Sequence, residues 1–150
     1  MENIHATGLV AGERGLLIVG ASGSGKTSLA LAVIAQAVGE GAFARLVCDD
    51  QIFVVPASGR LIAHAPAAIA GLAEARGLGP VTFPHEPRMI VDAVVRLVPP
   101  DEAPRFDPGE TEEICGIALP RLSLPQCNVA AALPAVLALL RHRGGGGRPS

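Results

Sequence analysis

Apolar residues along this chain fall in short runs, separated by glycine, proline and acidic punctuation. Residues 4–10 (IHATGLV) are the first run and are expected as an entering strand. Ala11 to Gly15 is a turn. Leu16-Leu17-Ile18-Val19 is apolar at every position, the mark of a strand buried on both faces. Ser28 to Val38 (SLALAVIAQAV) consists largely of good helix formers and predicts a helix, stopped near Gly39 and Gly41. Ala44–Cys48 is the next strand and runs into Asp49-Asp50. Ile52–Val55 and Leu61–His64 are strands around a turn at 57–60. Pro66, tolerated in a first helical turn, leads AAIAGLAEA into an expected short helix, and Gly77-Leu78-Gly79-Pro80 stops it. Met89–Val98 is a long strand with Asp92 and Arg96 as polar interruptions. Residues 99–112, rich in proline and acids, read as a loop, and Arg121–Pro125 as a short extended piece. Val129–Arg143 is a terminal Ala/Leu helix with Pro134 in or near its first turns. Strands thus alternate with helices in one α/β domain spanning 1–143, followed by a flexible Gly-rich tail at 144–150, with no internal repeat.

Composition narrows the class. The chain has 150 residues, 49% of them hydrophobic and 17% charged, which excludes a disordered polymer. A domain of this length buries about 68–70% of its unfolded surface, enough for a real core. Aromatics are 3%, with no Trp and no Tyr, so the core is aliphatic and stacking platforms for single-stranded nucleic acid are absent. The formal charge is −2 and no basic run occurs, which argues against nucleic acid as a partner. Met1 is followed by an acid, so no signal peptide is expected. No membrane span is expected either: the nearest candidate, 119–140, is broken by Pro125, Asn128 and Pro134. Three widely spaced cysteines, Cys48, Cys115 and Cys127, fit free thiols in a reducing cytoplasm, and no Cys/His spacing resembles a zinc site. A positive mean hydropathy with so few charges points to a homo-oligomer that hides apolar surface.

The chemistry-bearing pattern is residues 20–27, Gly20-Ala21-Ser22-Gly23-Ser24-Gly25-Lys26-Thr27, a full match to G-x-x-x-x-G-K-[ST]. Its glycines let the backbone curl and turn N–H groups toward an anion. Lys26 reaches β- and γ-phosphates, and the Thr27 hydroxyl is placed for Mg²⁺. The motif lies between a predicted strand and a predicted helix, so phosphates would sit on a helix N-terminus. That context makes nucleotide-phosphate binding a far better reading than a bland Gly-rich turn.

Three further groups are candidates. Asp49-Asp50 places two carboxylates at a strand end, costly unless a cation sits there; one suits Mg²⁺ and the other a hydroxyl proton. The competing reading is a solvated turn. His5 precedes the phosphate-loop strand by about ten residues and approaches the Asp pair if its strand runs beside Leu16–Val19. Glu74 and Arg76 flank a glycine-broken helix end and either line the phosphate pocket or cap a surface helix. His64, His85 and His142 have no partner pattern and read as surface residues.

Taken together and in order, these residues resemble the catalytic domain of HPr kinase/phosphorylase, a bacterial enzyme that phosphorylates a serine of the phosphocarrier HPr. The likeness rests on His5, the phosphate loop, the stretch LVCDD at 46–50, and Ala65, Pro66, Ile69, Glu74, Arg76, Gly77, Leu78 and Gly79; Asn128-Val129-Ala130 also looks like the family's entry into its terminal helix. The resemblance implies a P-loop domain of the HPr kinase/phosphoenolpyruvate carboxykinase type, a mixed β-sheet with flanking helices, in the short form that is the catalytic domain alone. It implies ATP and Mg²⁺ as cofactors and an HPr-like phosphocarrier as protein partner, with phosphate or pyrophosphate as further small ligands and a hexamer as assembly. By the same resemblance Asp49 is the acid/base with His5 nearby. Lys26 and the loop 20–27 hold the nucleotide, and Thr27, Asp50 and Glu74 are on the metal side. Two segments depart from the family. Pro125-Gln126-Cys127-Asn128 lacks the arginine found there, which bears on phosphorolysis, and Thr82 to Arg88 carries Pro84 and Pro87 where the family has a flexible loop. The alternative is a nucleotide-binding regulatory module without phosphoryl transfer. A small-molecule kinase fits less well, because its arginine-rich lid is missing from residues 80–125.

Overall fold

The computed structural model describes residues 1–142; Arg143 and the expected tail 144–150 lie outside the described residues. The order is β1 (Glu2–Ile4), β2 (Ala6–Ala11), β3 (Arg14–Gly20), α1 (Lys26–Gly39), β4 (Ala44–Cys48), β5 (Ile52–Ala57), β6 (Arg60–His64), β7 (Leu72–Ala75), β8 (Gly79–Thr82), β9 (Arg88–Val98), β10 (Thr111–Ile114), β11 (Ile117–Pro125) and α2 (Val129–His142). Nine of these strands form one mixed sheet, in the order β1-β5-β6-β9-β3-β2-β4, with β11 joining β9 and carrying β10. Strand β9 is the spine. Its first half pairs antiparallel with β6 and its second half parallel with β11, while β3 runs parallel along its other edge.

Period-two alternation splits the apolar residues between two cores. Leu16 and Ile18 of β3 face a cluster with Leu29, Ala30 and Val33 of α1 and Ala132, Val136 and Leu139 of α2. Leu17 and Val19 face the other way, onto Val47, Ile52, Val54, Leu61 and Met89. Both helices therefore cover the same face of the sheet, and β3, buried on both faces, is apolar throughout as the sequence predicts. Pro134 is the sixth residue of α2, so its missing N–H costs one hydrogen bond rather than a helix. No helix among the described residues is long and apolar enough to cross a membrane.

Two sequence expectations are corrected. The predicted helix over 67–75 is a 3₁₀ turn at Ala67–Ile69 followed by β7, which pairs antiparallel with β8. Gly71 sits at φ 78°, and a side chain there would meet the His85 ring, so the alanine-rich run is broken where helical propensity alone would continue it. The predicted loop 99–112 gives way at Thr111 to a hairpin, β10–β11, turned on Cys115 and Gly116 at φ 51° and 77°. Two left-handed residues in a two-residue connection match the right-handed twist of the strands. The extended piece predicted at 121–125 is the end of the longer β11.

Gly15 marks the tightest approach of backbone to backbone. A Cβ there would lie 1.9 Å from the Ile90 carbonyl oxygen, at the irregular start of the β3–β9 pairing. Gly15→Ala is expected to lower unfolding free energy by about 1–3 kcal/mol or more. Gly39→Ala, in the last turn of α1 with open space around it, is expected to be neutral or stabilising by about 0.5–1 kcal/mol. Urea denaturation of the two variants checks both.

Candidate active site

The sheet order positions the site. β2 is antiparallel to both β3 and β4, so β3 and β4 run the same way and end on one sheet edge. From the end of β3 the chain curls through 20–25 into α1; from the end of β4 it enters Asp49-Asp50. The start of β2, just after His5, lies between these two ends. A β-bulge in the β2–β4 pairing at Gly8/Leu9 changes the register just before Asp49. Bulges of this kind re-aim side chains beside sites.

The phosphate loop is closed on itself. Gly25 caps α1 at φ 93°, a left-handed conformation that costs a glycine little. Lys26, almost fully buried, donates from Nζ to the Gly20 and Ala21 carbonyls at 3.1 and 3.0 Å, so its charge is held inside the loop's curve. The Ser24 N–H donates to the Ala21 carbonyl at 3.0 Å. From outside, the Cys127 N–H donates to the Ser24 carbonyl at 2.9 Å and its thiol to the Gly23 carbonyl at 3.2 Å. Asn128 then caps α2 through its side-chain oxygen, which accepts from Ala131 N–H at 3.1 Å. The entry to α2 is thereby tied to the crest of the loop.

The acid pair meets the loop through hydroxyls. Thr27 Oγ1 donates to Asp49 Oδ1 at 2.6 Å, and Thr7 Oγ1 donates to the same oxygen at 2.9 Å. Asp50 leaves in the opposite sense. Its backbone is left-handed, φ 69°, its side chain is exposed, and its Oδ1 lies 4.0 Å from His5 Nδ1. Lys26, Thr27, Asp49, Asp50, Glu74 and Arg76 all line one cavity of about 360 Å³.

Every predicted site residue except His5 thus belongs to the loop or its cavity, and His5 stands at the rim against Asp50. The Glu74–Arg76 segment reaches the cavity as strand β7 and its turn, not as a helix end. Asp49, Asp50 and Glu74 do not form a ready-made metal cluster: among the described residues, no three His, Cys, Asp or Glu side chains gather closely enough to hold an ion by themselves. The residues still fit Mg²⁺, which is usually held by one or two protein oxygens together with phosphates and water. The fit rests on the Thr27 hydroxyl: its proton is committed to Asp49, so its lone pairs remain for a cation. Of the histidines read as surface residues, His64 and His85 are half-buried, His64 against the Phe53 ring and His85 against the Phe83 carbonyl.

Sequence reading passed over Thr7 and Cys127 as site residues. Thr7 carries a signal in retrospect, a hydroxyl in a buried strand that must find a partner. Nothing in the sequence marks Cys127 beyond its place before the helix cap.

Two curated proteins match the chain, and both bear the name HPr kinase/phosphorylase. The one from Clostridium tetani is 39% identical over 70 residues, covering 47% of this chain. The one from Clostridium beijerinckii is 30% identical over 142 residues, covering 85% of this chain. Among solved structures, the Hpr(Ser) kinase/phosphatase from Coxiella burnetii superimposes with a TM-score of 0.74 at 29% identity, covering 93% of this chain and 97% of that one. This chain is a relative of the HPr kinase/phosphorylases, by sequence and by fold. No protein-family model matches it. The chain spans less than half the length of the curated relatives, 21% and 45% of them. The α/β P-loop fold with its mixed sheet is the one the HPr kinase resemblance implies.

The three thiols differ in chemistry. Burial, and then the neighbouring Asp49 carboxylate, push the Cys48 thiol up to about 11. The Glu2 carboxylate that accepts from the Cys115 thiol raises that one as well. Cys127 is exposed. Since the thiolate is the nucleophile, iodoacetamide at pH 8 is expected to modify Cys127 first and Cys115 more slowly. Cys48 is expected to stay unmodified until the chain unfolds. Peptide mass mapping over time reads the order.

Proposed function

We propose that this chain is an ATP- and Mg²⁺-dependent protein serine kinase of an HPr-like phosphocarrier that also dephosphorylates it by phosphorolysis. The observation that carries the reading is the Thr27–Asp49 contact inside a cavity that also holds Lys26. It puts a carboxylate beside the place where the terminal phosphate of a loop-bound nucleotide would lie. The kinship with HPr kinase/phosphorylases supports the carrier as substrate. The reading extends to a cytoplasmic protein that self-associates, in keeping with its free cysteines and positive mean hydropathy.

Phosphoryl transfer asks mainly for positioning and charge neutralisation. Loop N–H groups and Lys26 hold the phosphates. Bound Mg²⁺ would be held by Thr27, with Asp50 and Glu74 on its side of the cavity, and would neutralise charge on the phosphate oxygens. Asp49 accepts the seryl proton as the new O–P bond forms and the bond from the γ-phosphorus to ADP breaks. His5 faces Asp50 at the mouth, where the protein substrate would enter. In phosphorolysis, an oxygen of inorganic phosphate bonds to the phosphorus of phosphoserine as the serine O–P bond breaks, Asp49 passes the proton taken from that phosphate to the serine oxygen, and pyrophosphate leaves. A regulatory module that binds nucleotide without transfer is the competing reading; the absence of an arginine from 125–128 favours it.

Incubation with an HPr-like carrier, ATP and Mg²⁺, followed by intact-mass spectrometry, tests the proposal. One added phosphate on a serine is expected, lost by about a hundredfold or more in Asp49→Asn, as for a positioned acid/base. Nucleotide binding with no added mass would sink the kinase reading and leave the regulatory module.

A further inference from the structure

We infer that Thr7 is a positioning residue that decides which oxygen of Asp49 is free to react; the inference rests on the kinase reading for its chemistry. Thr7 is fully buried on β2, the strand between the phosphate-loop strand and the Asp strand. Its hydroxyl makes two contacts. It donates to Asp49 Oδ1 at 2.9 Å, and it accepts from the Asp50 N–H in a long contact of 3.4 Å. Thr27 donates to the same Oδ1 at 2.6 Å. A carboxylate oxygen has two lone-pair sites, and two hydroxyl protons fill those of Oδ1.

Three consequences follow. The carboxylate of Asp49 cannot rotate about its Cβ–Cγ bond without giving up both hydroxyls. Its Oδ2 is the oxygen left to take a proton. Thr27, its own proton committed, keeps its lone pairs directed away from Asp49 and toward the phosphates. Thr7 supports all three without reaching the cavity. Its remaining contact, to the Asp50 N–H, ties the same hydroxyl to the left-handed residue that sends the second carboxylate outward. Without Thr7, one donor holds Asp49 where two did, and the carboxylate gains rotational freedom at the point where a reacting proton must be caught.

The test is a pair of substitutions at this position. Thr7→Val removes the hydroxyl and keeps the buried volume; Thr7→Ser keeps the hydroxyl. In the carrier assay, Thr7→Val is expected to lower kcat by about tenfold to a hundredfold, the scale for removing a partner that orients a functional ligand. KM for ATP, measured with Mg²⁺, is expected to rise only by the Mg²⁺-dependent part of the affinity, because Thr7 does not touch the nucleotide cavity. Thr7→Ser is expected to recover most of the loss. A second readout does not depend on transfer. ATP is titrated into each protein with Mg²⁺ or with EDTA. Thr7→Val is expected to lose most of the gain in affinity that Mg²⁺ brings, with the affinity in EDTA unchanged. A Thr7→Val protein with wild-type kcat and an intact Mg²⁺ gain would overturn the inference. So would a loss that Thr7→Ser fails to repair, since that is a packing defect. A wild-type protein that transfers nothing overturns the kinase reading instead, and the Mg²⁺ titration then decides on Thr7 alone.

Discussion

The 2.6 Å hydrogen bond between Thr27 and Asp49 joins two segments that start on different strands, and the sheet order makes it possible. The phosphate loop leaves β3 and the acid pair leaves β4. With β2 antiparallel between them, both exits fall on one edge. A carboxylate brought to that edge faces a hydroxyl fixed at the start of α1, whose own place is set by its packing on β3. The aliphatic cores on the two faces hold this edge rigid. Ile18 packs into one and Leu17 into the other shortly before the loop, and Val47 and Cys48 are both buried in the second immediately before the acids. Without that rigidity a hydroxyl–carboxylate contact at a solvent-facing edge would exchange with water and contribute little.

Much of this was legible because local signals and tertiary demands agree. The apolar run 16–19, the glycine-rich loop and the helix after it are each specified by their own residues, and together they form the strand–loop–helix unit from β3 to α1. Asp49-Asp50 was legible as chemistry because two adjacent carboxylates at a strand end need an explanation. The hairpin at 72–82 was not, because alanine is the best helix former and the eye follows it through Ala67, Ala68, Ala70, Ala73 and Ala75. What overrides the propensity is a single backbone position. Gly71 is left-handed beneath the His85 ring, a contact between residues fourteen apart that no local window contains. The hairpin at 111–125 carried a signal, Cys115-Gly116 between two alternating stretches, but it was submerged in a proline-rich neighbourhood.

The hairpin has a functional consequence. A helix running through 67–76 would point Glu74 and Arg76, two residues apart, to opposite sides. As strand and turn they line the same cavity as the loop and bring one carboxylate and one guanidinium to it. Two cations line that cavity, Lys26, folded into the loop, and Arg76. Cys127 sits beside the loop, at the entry to α2. There it serves through its backbone and thiol, which hold the Ser24 and Gly23 carbonyls. Its contribution is to the loop's shape rather than to its charge.

The acid pair itself shows how one dipeptide is given two environments. Like charges on adjacent residues repel, and each is costly where water is scarce. The backbone at Asp50 resolves this by turning left-handed, at a cost of about 1–2 kcal/mol for a residue with a Cβ. Asp49 stays half-buried under two hydroxyl donors, while Asp50 swings into solvent opposite His5. Two extended residues would have pointed to opposite faces of the sheet, one into a core. The left-handed turn keeps both at the edge and separates them by environment, one fixed by short hydrogen bonds and one loosely paired at the rim. A single conformational choice at residue 50 thus gives two adjacent carboxylates different surroundings.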